Sequence, residues 1–201
     1  MENAFDKSLA DLRASVDGVM SQKAALVEAS RLIARSIVDG KTVHLCGNGG
    51  SAAEAQHFAA EFVGRFLTER PGLPAISLAT DTSKLTAIGN DYGFDKVFSR
   101  QLEALGRPGD VLWGLSTSGT SPNVLAAFKT ARERGLKSVF TCGRSLADPT
   151  IADVVIYSPA PSTPRIQELH LFYGHLICEL VDFEIFRGGA NPFPPKTGGT
   201  V

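Results

Sequence analysis

Two segments of the chain carry side chains that could bind a metal ion. The stretch HLCGNGGSAAEAQHFAAEFVGRF, residues 44–66, places a glycine-rich turn before a helical pattern that contains His57 and Glu61. These two residues are four apart, so they share one face of a helix. Gln167 and His175 are eight apart on a second predicted helix, two turns along the same general side. Two histidines, a carboxylate and an amide oxygen suit zinc or a similar divalent ion.

Other assignments of the titratable side chains stay open. A His-x-x-x-Glu pair taken alone is more often structural or solvent-exposed than part of a metal site. His170, three residues after Gln167, is a competing candidate. His44 lies inside a predicted strand and is expected to be structural, and Glu54 and Glu168 are expected on solvated helix faces.

The glycine-rich turn resembles a dinucleotide fingerprint only in part. Gly47, Gly49 and Ala52 fit G-x-G-x-x-A, but a bare match of this kind is weak evidence. The fingerprint also requires an acidic residue about 20 positions on, at the end of the second strand. Here the second strand is predicted to end near Asp81, and Glu69 falls in a predicted loop. A dinucleotide site is therefore disfavoured.

The same turn is suited to binding a phosphate group. Glycines allow the backbone to approach an anion closely, and the first N–H groups of the following helix attract it. Asn48 and Ser51 add side-chain hydrogen-bonding groups. Arg65, near the end of a helix predicted over 51–66, could meet a phosphate or could simply favour the helix dipole. The alternative is an ordinary turn with Ser51 as the helix N-cap.

A second polar turn follows the apolar run VLWGL. Its hydroxyl residues surround Gly119 and are Ser116, Thr117, Ser118, Thr120 and Ser121. Pro122 then opens an amphipathic helix. Serine, threonine and glycine are common in turns, but a turn needs one or two of them, and five hydroxyls favour a phosphate site. Since no G-x-x-x-x-G-K-[ST] motif is present, a nucleoside triphosphate site is not expected.

Five short β-rich runs, separated by helical patterns, must position these turns. They are TVHLC (42–46), AISL (75–78), VLWGL (111–115), SVFTC (138–142) and VVIY (154–157). Most are continuously apolar, as expected of strands covered on both faces. Strands that alternate with helices predict a five-stranded parallel sheet in an α/β fold, a three-layer α/β/α sandwich with its ligand loops at the carboxyl ends of the strands.

Helices are predicted at both ends of this array. An apolar stripe with helical spacing runs through Phe5, Leu9, Leu12, Val16 and Val19. Its face must be buried on its own domain or on another subunit. A second helix is predicted over 21–38, with Gly40 as its stop. The last helix is predicted to have Thr163 as N-cap and Pro164 at its first position.

Composition indicates one globular domain. The chain has 201 residues, of which 43% are apolar and 20% charged. We expect a single domain over 1–187, with a helical extension over about 1–39, and a flexible Gly/Pro-rich tail over 188–201. The net charge of −1 gives no basic surface for nucleic acid or for a membrane. Three widely spaced cysteines favour buried thiols and a cytoplasmic location.

Four motifs, in order along the chain, resemble a known family. They are CGNGGSAAEAQHFAAEFVGRF, LTAIGNDYGFDKVFSRQ, GDVLWGLSTSGTSPNV and RIQELH followed by a second histidine. Together they resemble the bacterial phosphoheptose isomerases of the sugar isomerase (SIS) domain superfamily, over roughly residues 1–187. The resemblance implies a flavodoxin-like SIS fold and interconversion of sedoheptulose 7-phosphate with D-glycero-D-manno-heptose 7-phosphate, early in the synthesis of activated heptose.

The resemblance also implies residue roles and an assembly. By motif position, the family's substrate contacts correspond to Asn48, Gly49, Gly50, Asn90, Asp91, Ser116, Thr117, Ser118, Ser121 and Gln167. Its zinc ligands correspond to His57, Glu61, Gln167 and His175, and its acid–base pair to Glu61 and His175. The family further implies a homotetramer with active sites between subunits, which would cover the N-terminal apolar stripe.

A sister group in the superfamily is the alternative. Its members bind sugar phosphates without converting them and associate with the replication initiator; they commonly lose the glutamate and the final histidine. This chain keeps both, which favours an enzyme. Two departures from the family pattern concern substrate preference: Pro164 replaces a frequent Asp or Ala, and the loop CGRSLADPT, residues 142–150, is short and poor in glycine.

Overall fold

The computed structural model describes residues 1–143, 146 and 148–187, and within them the five predicted strands are confirmed. The strands are β1 (Val43–Cys46), β2 (Ala75–Ser77), β3 (Val111–Ser116), β4 (Lys137–Cys142) and β5 (Val154–Tyr157). The α-helices are α1 (Glu2–Asp17), α2 (Lys23–Val38), α3 (Gly50–Val63), α4 (Thr82–Tyr92), α5 (Ser99–Leu105), α6 (Pro122–Glu133) and α7 (Thr163–Asp182). The predicted tail, 188–201, and positions 144, 145 and 147 lie outside the described residues.

Shorter helical segments complete the chain. The 3-10 segments are Gly18–Gln22, Phe94–Lys96 and Pro149–Ile151, and a π-helical segment, Phe183–Arg187, follows α7. Among the described residues, no helix has both the length and the apolar character needed to cross a membrane.

The sheet is entirely parallel and has the strand order β2-β1-β3-β4-β5. The chain leaves β1 toward one edge to form β2 and then returns across it to form β3. This reversal puts the loops after β1 and β3 side by side at the carboxyl edge, where open α/β sheets bind ligands. The predicted fold class is thus confirmed.

Each face of the sheet is covered by its own apolar core. On one side, Phe58 of α3 and Tyr173 of α7 pack with Trp113 of β3. On the other side, Phe128 of α6 packs with Phe140 of β4, at 4.6 Å between ring centroids. Because neighbouring residues on β3 serve opposite cores, this central strand is apolar throughout.

The cysteines are buried and free, as predicted. Burial raises the pKa of the Cys46 and Cys142 thiols to about 12. Burial, assisted by the Glu61 and Asp182 carboxylates, raises the pKa of Cys178 as well. All three therefore stay protonated at neutral pH and act as small apolar side chains.

Several predicted boundaries are wrong by a few residues. Strand β2 ends at Ser77, and Asp81 instead caps α4 by accepting a hydrogen bond from the Lys84 amide at 3.0 Å. Helix α7 has Ser162 as N-cap and Pro164 at its second position, because a proline is accepted anywhere in a first turn whose N–H groups lack partners.

Helix α2 starts at Lys23, since the residues before it form a tighter 3-10 turn. Helix α3 spans Gly50–Val63, although the prediction was 51–66, and its C-cap is Gly64. Arg65 therefore lies beyond the helix that it was predicted to close.

Helix α1 is only partly covered by its own chain. It contacts α7, and the Arg165 guanidinium donates to the Ser8 carbonyl oxygen at 2.8 Å. The stripe nevertheless remains largely open: Phe5 is 69% exposed and Val16 53%. Within the described residues, the chain therefore buries only part of the apolar face of α1.

At the opposite edge of the sheet, Asp110 joins β1 to β3. The residue is 4% exposed, and its carboxylate accepts hydrogen bonds from the Thr42 amide at 3.0 Å and the Arg107 amide at 2.9 Å. The His44 Nε2 atom lies 3.1 Å from the same carboxylate, which agrees with a structural role for that histidine. Burial alone would raise the pKa of Asp110, but these hydrogen bonds outweigh it and hold the pKa below its usual range.

Replacement of the Asp110 carboxylate should lower the free energy of unfolding only at pH values at which the carboxylate is ionised. We expect Asp110→Asn to lower the free energy of unfolding by about 1–3 kcal/mol at pH 7, because an amide presents an NH2 group to one of the three donors. Since a depressed pKa stabilises the fold above the unfolded-state pKa of about 3.9, the difference from wild type should shrink as pH falls below about 4.

Urea denaturation at one fixed protein concentration checks this expectation. The exposed Asp39 at the end of α2 offers the control, and Asp39→Asn should change stability by less than about 0.5 kcal/mol. A difference for Asp110→Asn that stays constant from pH 7 to pH 3 would contradict the ionic account.

Candidate active site

Two loops meet at the carboxyl edge of the sheet, where β1 and β3 end. The glycine loop, residues 47–50, follows β1, and the hydroxyl loop, residues 116–121, lies at the end of β3. The Asn48 Nδ2 atom donates to Asn123 Oδ1 at 2.8 Å, and Asn123 Nδ2 donates back to Asn48 Oδ1 at 2.7 Å. This reciprocal amide pair holds the two loops together.

The glycine loop opens α3 without a side-chain cap. Gly49 is the N-cap, with φ of +55°, and its conformation favours glycine. Ser51 is buried in the first turn and makes no capping bond, so the alternative of Ser51 as a plain N-cap is wrong. The Ser51 amide donates to the Asn48 carbonyl oxygen at 3.0 Å and the Ala52 amide to that of Gly49 at 3.1 Å, so what the start of α3 offers an anion is chiefly its helix dipole at the sheet edge.

The hydroxyl loop is organised by its own side chains. The Oγ atoms of Ser116 and Ser121 are 2.9 Å apart, and Ser116 Oγ accepts a hydrogen bond from the Gly119 amide at 3.2 Å. Ser118 is exposed and its Oγ accepts from the Thr120 amide at 3.1 Å. Ser121 is the N-cap of α6, yet its side chain does not cap the helix. Hydroxyls therefore converge at the start of α6, where Pro122 has no N–H group and the Val124 amide donates to Asn123 Oδ1 at 3.0 Å.

Three titratable side chains form a cluster between α3 and α7. The Nε2 atoms of His57 and His175 are 2.7 Å apart, and Glu61 Oε1 is 3.4 Å from His57 Nε2. All three ligand atoms lie within 4.8 Å of one another, and no residue of the cluster is fully buried. A tetrahedral zinc site with bonds of about 2.0–2.1 Å separates its ligand atoms by about 3.3 Å. The His57–Glu61 separation is close to that value, and the two imidazoles would have to move apart by about 0.6 Å to hold such an ion, so the donor types fit zinc after a small adjustment.

Packing behind the cluster fixes its spacing. The Phe58 ring stacks on Trp113, with centroids 5.2 Å apart and planes at 12°. A methyl group at Gly174 would overlap the Phe58 ring, so only glycine allows α7 to approach α3 this closely. Phe66 stacks on the His175 imidazole at 5.7 Å. The His175 imidazole is thus flanked by two aromatic rings, those of Phe58 and Phe66.

Gln167 lies nearer to the glycine loop than to this cluster. Its amide occupies the space that a side chain at Gly50 would fill. Eight residues along α7 correspond to a rise of about 12 Å between Gln167 and His175. A substrate contact is natural for this position, and a role as fourth metal ligand stays a prediction.

The competing histidine is placed elsewhere. His170 is fully buried, and its Nδ1 atom lies 3.7 Å from the Glu54 carboxylate. The prediction of a solvated Glu54 is therefore wrong: its side chain is only 11% exposed, since the face of α3 that carries it packs on α7. Glu168 is exposed as predicted and pairs with Arg165.

Three predicted substrate contacts lie on exposed surface. Arg65 lies 3.9 Å from the Glu69 carboxylate in the loop after α3. Asn90 donates to Asp91 Oδ1 at 2.8 Å near the end of α4. Their roles toward a substrate stay predictions.

Asn123 is a site residue that the sequence analysis missed. Only the hydroxyls and glycine of STSGTSPNV were weighed, and the asparagine after Pro122 was left aside. Its position at the start of a helix beside a polar loop was the available signal.

Comparison with known proteins agrees with this geometry. The family model described as SIS domain matches residues 8–140. The phosphoheptose isomerase of Aliarcobacter butzleri (strain RM4018) is 52% identical over 161 residues, which are 80% of this chain and 85% of that protein.

Solved structures extend the match. That of phosphoheptose isomerase from Neisseria gonorrhoeae has a TM-score of 0.83 and 43% identity, covering 90% of this chain and 97% of that one. That of a phosphoheptose isomerase from Francisella tularensis has a TM-score of 0.78 and 34% identity, covering 89% and 98%. The chain therefore belongs to the SIS domain family and, within it, to the phosphoheptose isomerases.

Proposed function

We propose that the chain is an aldose–ketose isomerase that interconverts sedoheptulose 7-phosphate and D-glycero-D-manno-heptose 7-phosphate. The observation that carries the proposal is the cluster of His57, Glu61 and His175 beside two phosphate-type loops at one edge of the sheet. Relatives at 51–57% identity carry the name phosphoheptose isomerase. Since its substrate is a sugar phosphate and its thiols are free, we expect the protein to act in the cytoplasm.

The hydroxyl loop grips the substrate's phosphate. Ser116, Thr117, Ser118 and Ser121 supply hydroxyls at the start of α6, whose dipole favours an anion. The glycine loop, with Asn48 and Ser51, and the nearby Gln167 line the path from this loop toward the cluster. A grip on the distant phosphate provides binding energy that orients the reacting end of the sugar.

Glu61 and His175 carry the proton transfers. Glu61 removes a proton from carbon 1 of the ketose and returns it to carbon 2 of the resulting enediol. His175 donates a proton to the oxygen on carbon 2 and accepts one from the hydroxyl on carbon 1. No proton is gained or lost overall, as an isomerisation requires. The separation of their ligand atoms by less than 4.8 Å lets both reach adjacent carbons.

The cluster is also suited to hold zinc. His57, Glu61 and His175 would ligate it, with Gln167 as the fourth ligand expected from the family. When bound, a divalent ion supplies Lewis-acid polarisation of the sugar's carbonyl.

A non-catalytic regulator is the less favoured function. Such a protein needs the two loops but has no need of an acid–base pair. Here Glu61 and His175 are both present and meet in space, and the relatives above are isomerases by name.

The main test follows sedoheptulose 7-phosphate by proton NMR with purified protein, with added zinc, and after treatment with EDTA. We expect new aldose anomeric signals that vanish on chelation and return with zinc. Signals that persist after chelation would retain the isomerase and make His57 a structural residue. If no signal forms under any condition, the isomerase proposal fails and the regulator, or another sugar, takes its place.

A second prediction concerns the catalytic carboxylate. Glu61→Gln should lower kcat by about 10²–10⁴-fold, because the amide cannot accept the proton. Binding of sedoheptulose 7-phosphate, measured by calorimetry, should persist, since the hydroxyl loop that would bind the phosphate lies at the start of α6 and is unchanged. Glu133→Gln at the exposed end of α6 is the control and should retain full turnover. Unchanged turnover of Glu61→Gln would remove Glu61 from the reaction.

A homo-oligomer, of the tetrameric kind implied by the family, completes the proposal. The exposed stripe on α1 supports it, because Phe5, Leu9 and Val16 leave an apolar face that a second copy can cover. The partner we propose is a second copy of this chain, because α1 is already anchored on α7 by Arg165 and its apolar stripe still remains exposed.

The stripe makes the assembly testable. Phe5→Glu should raise the dissociation constant by about a hundredfold or more, because a charge would be buried unpaired. Sedimentation velocity measures the change. Lys7→Gln, on the same helix but paired with Asp11 in solvent, should leave the mass unchanged. A wild-type monomer, or an assembly indifferent to Phe5→Glu, would refute this role for the stripe.

A further inference from the structure

Arg70, in the loop between α3 and β2, is an arginine buried beside the proposed catalytic helix. The residue is 6% exposed, although the surrounding sequence TERPG is typical of a surface loop. Arginine is among the residues least often buried unless its charge is paired. Its burial therefore requires a specific set of partners.

The guanidinium binds the last turn of α3. Its Nη2 atom donates to the carbonyl oxygen of Glu61 at 2.8 Å, and its Nη1 atom donates to that of Phe62 at 2.7 Å. The final carbonyl groups of a helix have no partner within the helix, so a cation that donates to them fits both their hydrogen bonding and the dipole. Arg70 thus binds the backbone of the proposed catalytic base itself.

The same guanidinium also binds the loop and α7. Nη1 donates to the carbonyl oxygens of Pro71 at 3.1 Å and Gly64 at 3.4 Å. The Nε atom donates to Asp182 Oδ1 at 2.8 Å, in an ion pair. Asp182 is the last residue of α7, seven positions after His175, so the ion pair ties the end of one site helix to the other.

We propose that Arg70 is a positioning residue for the isomerase: it sets the last turn of α3, and with it Glu61, against the helix that carries His175. This inference rests on the proposed function. Without the clamp, the ends of α3 and α7 would lose these hydrogen bonds and the ion pair, and apolar packing fixes a distance less sharply than a planar fork of hydrogen bonds does. The reacting groups are sensitive to such shifts, since displacement by about 1 Å can cost a hundredfold in rate.

Arginine is required here, and lysine is not equivalent. The planar guanidinium presents five N–H groups in a fixed fork, whereas one ammonium group cannot reach two helix carbonyls, the loop and Asp182 at once. Asp182 depends on the same partner: burial raises the pKa of its carboxyl, and the Arg70 charge and hydrogen bond oppose that rise. The pair must therefore be tested by conservative changes.

The test compares Arg70→Lys with wild type in the full-length protein. We expect kcat for sedoheptulose 7-phosphate to fall by about tenfold to a hundredfold. KM should stay within about twofold of the wild-type value, because the hydroxyl loop that would bind the phosphate is unchanged. Zinc affinity, measured by competition with a chromophoric chelator, should fall as well, since the cluster draws ligands from both clamped helices.

The control is Arg134→Lys. Arg134 also donates to a backbone carbonyl, that of Gly106, from Nε at 3.3 Å and Nη2 at 3.2 Å, but it lies at the far end of α6. The Arg134→Lys substitution should leave kcat, KM and zinc affinity within about twofold of wild type. If Arg70→Lys does not fold, Asp182→Asn replaces it: the carbonyl bonds remain, and a smaller fall in kcat with unchanged KM is expected.

The outcomes separate this inference from the proposed function. A variant of Arg70 that melts earlier but keeps wild-type kcat and zinc affinity would overturn the positioning role and leave the isomerase intact. Wild-type protein without turnover would refute the isomerase, and the zinc titration would then decide by itself whether Arg70 holds the cluster together.

Discussion

The close crossing of α3 and α7 is the contact on which the rest of the site depends. At its centre the Phe58 ring, backed by Trp113, fills the space left by the missing side chain of Gly174. The next residue along α7 and the preceding residue along α3 are His175 and His57, so this one apolar contact brings the imidazoles together. The binding cluster is therefore a product of core packing, which is far less deformable than a surface loop.

The two parts of the candidate site lie in different outer layers of the fold. The hydroxyl loop leads into α6, which packs in the core on one side of the sheet, while the cluster lies on α3 and α7, which pack in the core on the other side. The central strands separate the two cores. Under the proposed function, a change in one layer should therefore alter binding of the phosphate without disturbing the proton transfers, and the reverse should also hold.

Local pattern was sufficient for the strands, for both loops and for the shared face of His57 and Glu61, because each depends on residues that are neighbours in sequence. It was insufficient for contacts between distant residues. The partner of Asn48 is 75 positions away, and Arg70 is buried only because two helix ends meet around it. Helix crossings decide such partners, and no periodicity within one helix records where it crosses another.

The amide pair of Asn48 and Asn123 has a consequence for the entropy of binding. Each side chain uses its NH2 group and its carbonyl oxygen on the other, which fixes the relative position of the two loops before any ligand arrives. A ligand that meets loops already in register loses less of its binding free energy to ordering the protein. Asn123 Oδ1 also accepts a hydrogen bond from the Val124 amide at 3.0 Å, and Asn123 is 2% exposed. Under the proposed function, the half-buried Asn48 is therefore the member of the pair that can offer its second N–H and second lone pair to a sugar hydroxyl.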